Sequence, residues 1–92
     1  MQNAIDFAGL NKLNEQESEE FRKVCMEFYR NLNMPADITL HIKKNQSNKV
    51  ILNARVVTSS AVLNISESGY DSYAVLSLLL KSIERKIRSN SI

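Results

Sequence analysis

The chain has 92 residues, enough for one domain with a single core, and 43% of them are hydrophobic. Two glycines and one proline exclude collagen-like and low-complexity classes and leave no glycine-rich phosphate-binding loop. One cysteine and one histidine exclude an internal disulfide and a zinc cluster, which fits a reducing cytoplasmic compartment. No apolar run approaches the roughly 20 residues that span a bilayer, and no signal peptide is visible, so no membrane association is expected.

The net charge of +2 is divided unevenly along the chain. Residues 1–34 carry six acidic and four basic side chains, whereas residues 35–92 carry four acidic and eight basic ones. The two parts therefore have net charges of −2 and +4. Such an asymmetry favours an anionic partner for the basic part, although a solvated surface gives a similar pattern.

The first third of the sequence predicts a short strand and a long helix. Residues 3–8 alternate apolar and polar side chains, as a strand does. Asn14 is a good N-cap, and Glu17 three residues later resembles a capping box. A one-sided apolar stripe follows, formed by Phe21, Val24, Cys25, Phe28, Tyr29 and Leu32. These signals predict a helix over residues 15–32, which Pro35 helps to end.

From Asp37 the apolar period changes from helical spacing to strict alternation. The pattern predicts strands over residues 37–43, 50–57 and 61–66. Polar turns at residues 45–48 and 58–60 separate them. Two hairpins in series form a three-stranded antiparallel meander.

A second helix follows Asp71, which supplies a cap. Its apolar stripe consists of Val75, Leu76, Leu79, Leu80, Ile83 and Ile87. The order is β-α-β-β-β-α, so we predict a single α+β domain over residues 1–92, whose tail at residues 89–92 is frayed. A right-handed crossover places the first strand parallel to the second, and both helices cover one face of a four-stranded mixed sheet. The solvent face is then expected to carry Thr39, His41, Lys43, Asn53, Arg55 and Asn64.

No constellation of residues predicts an active site, a metal site or a cofactor. Cys25 lies within the apolar stripe, so a buried core cysteine is the favoured interpretation over a nucleophile paired with His41. His41 alternates outward on a strand, where exposure is favoured over a ligand role. The carboxylates that crowd the start of the first helix are explained by capping and solubility. We therefore predict that the protein is not an enzyme.

The basic side chains form two groups in the sequence. Lys81, Arg85 and Arg88 recur at spacings of four and three, so they share one helical face, and Lys86 flanks it. The second group, at the first hairpin turn, consists of Lys43, Lys44 and Lys49. One interpretation is a solvated helix face and a solubilising loop, and the other is a surface that contacts RNA phosphates. The absence of a GXXG loop argues against a KH module, and the strands lack the interleaved aromatic residues of an RRM.

The segment LNISESGYDSYAVLSLLLKSIERKIRSN at residues 63–90 resembles the end of the ribosome hibernation-promoting factors. These are also called ribosome-associated translation inhibitors or sigma-54 modulation proteins. Members run from a strand through an acidic residue and a linker into Asp-x-Tyr-x-Ala-Ile-Asp and a leucine-rich basic helix. The matching positions here are Glu67, Asp71, Tyr73, Ala74, Leu76 and Arg85. The family fold has the same element order, and the chain resembles the short form of the family, without the C-terminal domain that pairs ribosomes.

The chain departs from the family pattern at several positions, which indicates a divergent member. Ser77 replaces the usual aspartate, and the later lysine and glutamine positions hold Ser82 and Lys86. In the first helix, Phe28 and Asn31 stand where basic residues are common. The expected rRNA-facing charge is therefore partly missing or moved to Arg22, Lys23 and Arg30.

The resemblance implies a non-catalytic, cofactor-free factor that binds small-subunit rRNA in the mRNA and tRNA channel and inhibits translation while it preserves dormant ribosomes. The residues implied for rRNA binding are Arg22, Lys23, Arg30, Lys81, Arg85, Lys86 and Arg88. Accessory contacts are expected from Lys43, Lys44, Lys49 and Tyr73, although Tyr73 could instead cover the edge of the core. The alternatives are a protein–protein or dimerisation module and a generic double-stranded RNA binder. The oligomeric state is left open, a monomer being one option.

Overall fold

The computed structural model describes residues 5–32 and 35–90, and its element order is the predicted one. The strands are β1 (Ile5–Ala8), β2 (Asp37–Lys44), β3 (Val50–Val57) and β4 (Val62–Gly69). The helices are α1 (Glu15–Leu32) and α2 (Ser72–Asn90). The predicted α+β class is confirmed.

The four strands form one mixed sheet in the order β1-β2-β3-β4. β1 runs parallel to β2, with Ile5 opposite Ile38, while the other two pairings are antiparallel. Leu40 lies opposite Ala54, which in turn lies opposite Ile65. This register aligns the buried residues of neighbouring strands, so that one face of the sheet is apolar along its whole width.

Both helices pack on that apolar face and leave the other face open. The side chains of Phe21 and Cys25 from α1 and of Leu79 and Ile83 from α2 are completely buried. The residues expected on the open face are exposed or half-buried there: Thr39, His41, Lys43, Asn53, Arg55 and Asn64. The covered face also holds Glu67, whose carboxylate accepts a hydrogen bond of 3.3 Å from the Ser82 hydroxyl of α2. The predicted two-layer arrangement is thus confirmed.

Each helix begins at the cap that the sequence predicts. The side-chain oxygen of Asn14 accepts a bond of 2.8 Å from the Glu17 amide, and Glu17 reciprocates by accepting from the Asn14 amide at 3.3 Å. This is a complete capping box, which satisfies two amides that would otherwise lack a partner. Asp71 caps α2 by accepting bonds from the amides of Tyr73 and Ala74.

The structure differs from the sequence predictions in several places. The last strand, predicted over residues 61–66, begins at Val62 and continues to Gly69. A 3-10 turn at Leu10–Lys12 joins β1 to α1, and Gly9 enters it with a φ of 90°. Val24 is 38% exposed rather than part of the core, because its side of α1 faces the neighbouring helix near the surface. The tail that is expected to be frayed begins within α2, which continues through Asn90. Residues 3 and 4 of the predicted first strand and residues 91 and 92 lie outside the described residues.

Candidate nucleic-acid interface

The two helices lie side by side and run in the same direction. At their N-terminal ends the Ser72 hydroxyl of α2 donates a bond of 3.0 Å to the Glu17 carboxylate of α1. One turn further, the rings of Phe21 and Tyr73 are 6.2 Å apart between centroids. Further along both helices, Phe28 of α1 and Leu80 of α2 line the same groove, so the helices run in the same direction and their C-terminal ends lie at one end of the molecule.

The candidate rRNA-binding residues of α1 are all exposed but do not share one face. Lys23 and Arg30 are seven residues apart, two helical turns, so they lie on the same solvent side. Arg22 points toward the β1 edge instead, where its guanidinium carbon is 5.7 Å from the centre of the Phe7 ring. The structure therefore groups Lys23 with Arg30 and separates Arg22 from them.

The candidate residues of α2 form the more concentrated basic surface. Lys81, Arg85, Lys86 and Arg88 are all exposed. Arg88 pairs with Glu84 at 3.3 Å, an exposed pair one helical turn apart. Arg30, in the last turn of α1, lies at the same end of the molecule. We call Arg30, Lys81, Arg85, Lys86 and Arg88 the basic end.

The opposite end of the helix pair is acidic. Its carboxylates are those of the first turns of α1, Glu15, Glu17, Glu19 and Glu20, together with Asp71. Tyr73 lies among them, 43% exposed and with its ring against Phe21. Desolvation raises the pKa of Tyr73, and the charges of Glu17, Glu20 and Asp71 raise it further. Tyr73 thus occupies a site of negative potential at the edge of the core.

An apolar groove lies between the two helices along their exposed side. Val24 and Phe28 of α1 face Tyr73, Leu76 and Leu80 of α2 across a hollow of about 340 Å³. Lys81 and Glu84 stand at its rim. The groove contains Phe28, one of the two positions in α1 where the family commonly has basic residues.

The turn between β2 and β3 holds a second group of cations. The Asn45 side-chain oxygen accepts bonds of 2.9 Å from the amides of Ser47 and Lys49. Asn48 adopts a left-handed conformation with φ of 64°, which asparagine tolerates better than most residues. The turn is thus fixed by its own side chain. It holds the predicted accessory residues Lys43, Lys44 and Lys49, of which the first two are exposed and the third half-buried.

One contact of this turn is not predicted by the sequence. The Lys49 ammonium lies 6.0 Å from the centre of the Tyr70 ring, which belongs to the link between β4 and α2. Lys49 and Tyr70 are twenty-one positions apart, and only the pairing of β3 with β4 brings them together. Tyr70 is also the most exposed large hydrophobic side chain among the described residues, at 71%.

The side chains that could have formed a nucleophilic pair are held apart. Cys25 is fully buried under the sheet, where desolvation raises the pKa of its thiol to about 12. His41 lies on the open face, on the other side of the sheet. Over residues 5–32 and 35–90, no three His, Cys, Asp or Glu side chains converge to hold a metal ion. Neither α1 nor α2, as described, combines the length and hydropathy that a membrane-spanning helix needs.

Comparison with protein-family models and with curated protein sequences finds no match. Solved structures do match. The N-terminal domain of Protein Y from Thermus thermophilus aligns with a TM-score of 0.70 and 12% identity, over 97% of this chain and 98% of that one. A ribosomal subunit interface protein from Coxiella burnetii aligns with a TM-score of 0.60 and 18% identity, over 97% of this chain and 96% of that one. The chain therefore shares its complete fold with these two proteins, which confirms, at the level of the fold, the resemblance to the hibernation-promoting factors.

Proposed function

We propose that the protein is a ribosome-associated factor that binds rRNA of the small subunit through its basic end. The observation that carries this proposal is the exposed basic surface that Lys81, Arg85, Lys86 and Arg88 form along the second half of α2, with Arg30 in the last turn of α1. The fold supports it, because one of the matched structures is a ribosomal subunit interface protein. Lys23 extends this surface along α1, and Arg22 reaches the RNA only if the contact wraps around the β1 edge.

The physical basis of the proposed contact is charge neutralisation. Each lysine or arginine that meets a phosphate releases condensed counterions, so that affinity falls steeply as the salt concentration rises. The helix fixes the spacing of Lys81 and Arg85, which form no ion pair among the described residues. The exposed carboxylates in the first turns of α1 are repelled by the same phosphates, which favours an approach with the basic end toward the RNA.

The proposed action is occupancy rather than chemistry. A domain seated in the mRNA and tRNA channel blocks translation by excluding those ligands and preserves the dormant ribosome. This role requires neither a catalytic residue nor a cofactor, and it places the protein in the cytoplasm. The proposal uses only the exposed charges and the rigid two-layer fold.

The test is co-sedimentation of the purified protein with small ribosomal subunits over a series of salt concentrations. We expect the double variant K81Q/R85Q to bind more weakly and to lower the slope of log affinity against log salt by about 1.5, since each lost phosphate contact removes roughly 0.7 to 0.9. The matched control is K12Q/R55Q, which removes two exposed charges away from the basic end. Equal behaviour of the two double variants, or no co-sedimentation of the wild type at any salt, would contradict the proposal.

The apolar groove favours a second candidate, a protein-docking module. Val24, Phe28 and Tyr73 leave apolar surface open between the helices, which is the geometry that accepts a partner helix or strand. This candidate would be supported by binding to a protein partner with an affinity that changes neither with the salt concentration nor in the K81Q/R85Q variant. Tight binding to an unrelated RNA duplex would instead indicate a general double-stranded RNA binder.

A further inference from the structure

Tyr70 is exposed at a position where both neighbouring elements hold its backbone. It follows Gly69, the last residue of β4, and precedes Asp71, the cap of α2. The ring is 71% exposed, and Lys49 lies over it at 6.0 Å. The ring therefore presents stacking surface to the solvent beside a cation.

The surroundings of this ring carry charges of both signs. Tyr70 borders an open hollow of about 470 Å³ that Lys44 and Asn48 also line. Within the described part of the chain, neither Lys44 nor Lys49 forms an ion pair.

The hollow also contains two carboxylates, and both are already engaged. Asp71 accepts the capping bonds of α2, and Glu17 accepts bonds from the Asn14 amide and the Ser72 hydroxyl. Both carboxylates are therefore directed toward helix N-termini. The positive ends of the helix dipoles offset part of their negative charge, and Lys44 and Lys49 supply positive charge beside the ring.

We propose that Tyr70, with Lys44 and Lys49, forms a platform on which an unpaired base of single-stranded RNA stacks. An exposed aromatic ring flanked by cations is the combination that binds single strands: the ring supplies the stacking surface, and the lysines contact the adjoining phosphates. A base pair within a duplex keeps its faces covered by its neighbours, so the platform selects an unpaired nucleotide.

This site is separate from the basic end. Arg85 follows Ser72 by thirteen positions in α2, which places it roughly 20 Å from Ser72 along the helix. The inference rests on the proposed function in that RNA is the ligand. It adds a second contact of a different kind, because stacking depends weakly on salt whereas phosphate contacts depend strongly on it.

The test measures binding of a fluorescently labelled ten-nucleotide oligoadenylate, alone and as a duplex with oligouridylate, by anisotropy. We expect Y70A to weaken single-strand binding about tenfold, within the range that one lost stacking contact produces, and to leave duplex binding unchanged. Y70F keeps the ring and is expected to bind as the wild type does. No single-strand binding by the wild type, no loss in Y70A, or an equal loss for strand and duplex would overturn the proposal.

A spectroscopic readout observes the contact directly. The chain contains no tryptophan, so Y70W introduces a unique fluorophore at the platform. We expect its emission to be quenched by the single strand and not by the duplex; quenching by neither contradicts stacking. Co-sedimentation with subunits separates the two proposals. If Y70A loses oligoadenylate binding but the wild type does not bind subunits, the proposed function alone is refuted. If the wild type binds subunits but Y70A still binds oligoadenylate as the wild type does, the platform alone is refuted.

Discussion

Substitution of Gly9 by alanine is expected to destabilise the protein more than any other glycine substitution available in it. Gly9 has φ of 90°, in the left-handed region that L-residues avoid. It also lies against the backbone of β2: an alanine Cβ would be 3.2 Å from the carbonyl carbon of Ile42 and would collide with the carbonyl oxygen. The obstacle is strand backbone, which cannot rotate away as a side chain can.

The magnitude follows from these two contributions. The left-handed conformation costs an L-residue about 1–2 kcal/mol, and overpacking against fixed atoms costs a further 1–3 kcal/mol, roughly. We therefore expect Gly9→Ala to lower the free energy of unfolding by about 3 kcal/mol. For a domain of this size, that loss lowers Tm by about 15 °C.

Gly69→Ala is the matched control for this prediction. Gly69 lacks a positive φ, and its added Cβ would meet only a methyl carbon of Val75, at 2.9 Å. The reduced entropy of the unfolded chain offsets part of that crowding, so we expect a net loss below about 1 kcal/mol. Urea denaturation of both variants followed by circular dichroism measures the difference. Equal losses for the two variants, or a Gly9→Ala protein as stable as the wild type, would refute the reasoning. Gly9→Asn separates the contributions, because asparagine tolerates this φ but retains the collision.

Three further predictions concern the helix cap, a half-buried phenol and the buried thiol. Asn14→Ala should lower the free energy of unfolding by about 1 kcal/mol in urea denaturation, while Asn14→Asp, which preserves the acceptor for the Glu17 amide, should not. Tyr29→Phe removes the bond of 2.9 Å that the hydroxyl donates to the Ala36 carbonyl and should also cost about 1 kcal/mol; an unchanged denaturation midpoint would show that water replaces the bond. Because burial raises the pKa of the Cys25 thiol from 9.0 to about 12, the folded chain holds this proton more tightly than the unfolded chain. The stability that this difference supplies is complete below about pH 9 and is lost as the pH rises toward 12, by up to about 1.4 kcal/mol per pH unit. The free energy of unfolding, measured as a function of pH, should fall less steeply over this range in Cys25→Ala than in the wild type. Parallel curves for the two proteins would contradict the prediction.

The helices and strands could be predicted because their signals are local. The bounds of α1 follow from the capping box of Asn14 and Glu17 and from an apolar stripe that the sheet then buries. The strict alternation from Ile38 onward fixes the faces of the meander, since a one-residue slip would expose the whole stripe. In both cases the burial that stabilises the element is visible in its own sequence.

The remaining features depend on contacts between elements, which no local pattern encodes. Val24 and Cys25 both belong to the apolar stripe of α1. Cys25 is buried, whereas Val24 lines the groove between α1 and α2, because the second helix covers only one side of the first. The contact of Lys49 with Tyr70 requires the register of β3 against β4. The 3-10 turn after Gly9 follows from the close approach of that glycine to β2. Each becomes predictable only after the sheet has been assembled.

The helix dipole explains some of the cations at the basic end but not all of them. Arg30 and Arg88 occupy the last turns of α1 and α2, where positive charge stabilises the helix whatever the protein binds, and Arg88 also pairs with Glu84. Lys81 and Arg85 lie further from the C-terminus of α2, where the dipole effect has largely decayed. Neither forms an ion pair among the described residues, so folding alone gives no reason for positive charge at these two positions. Lys81 and Arg85 are therefore the residues whose charge is best explained by an anionic partner, and the ones whose removal separates binding from stability.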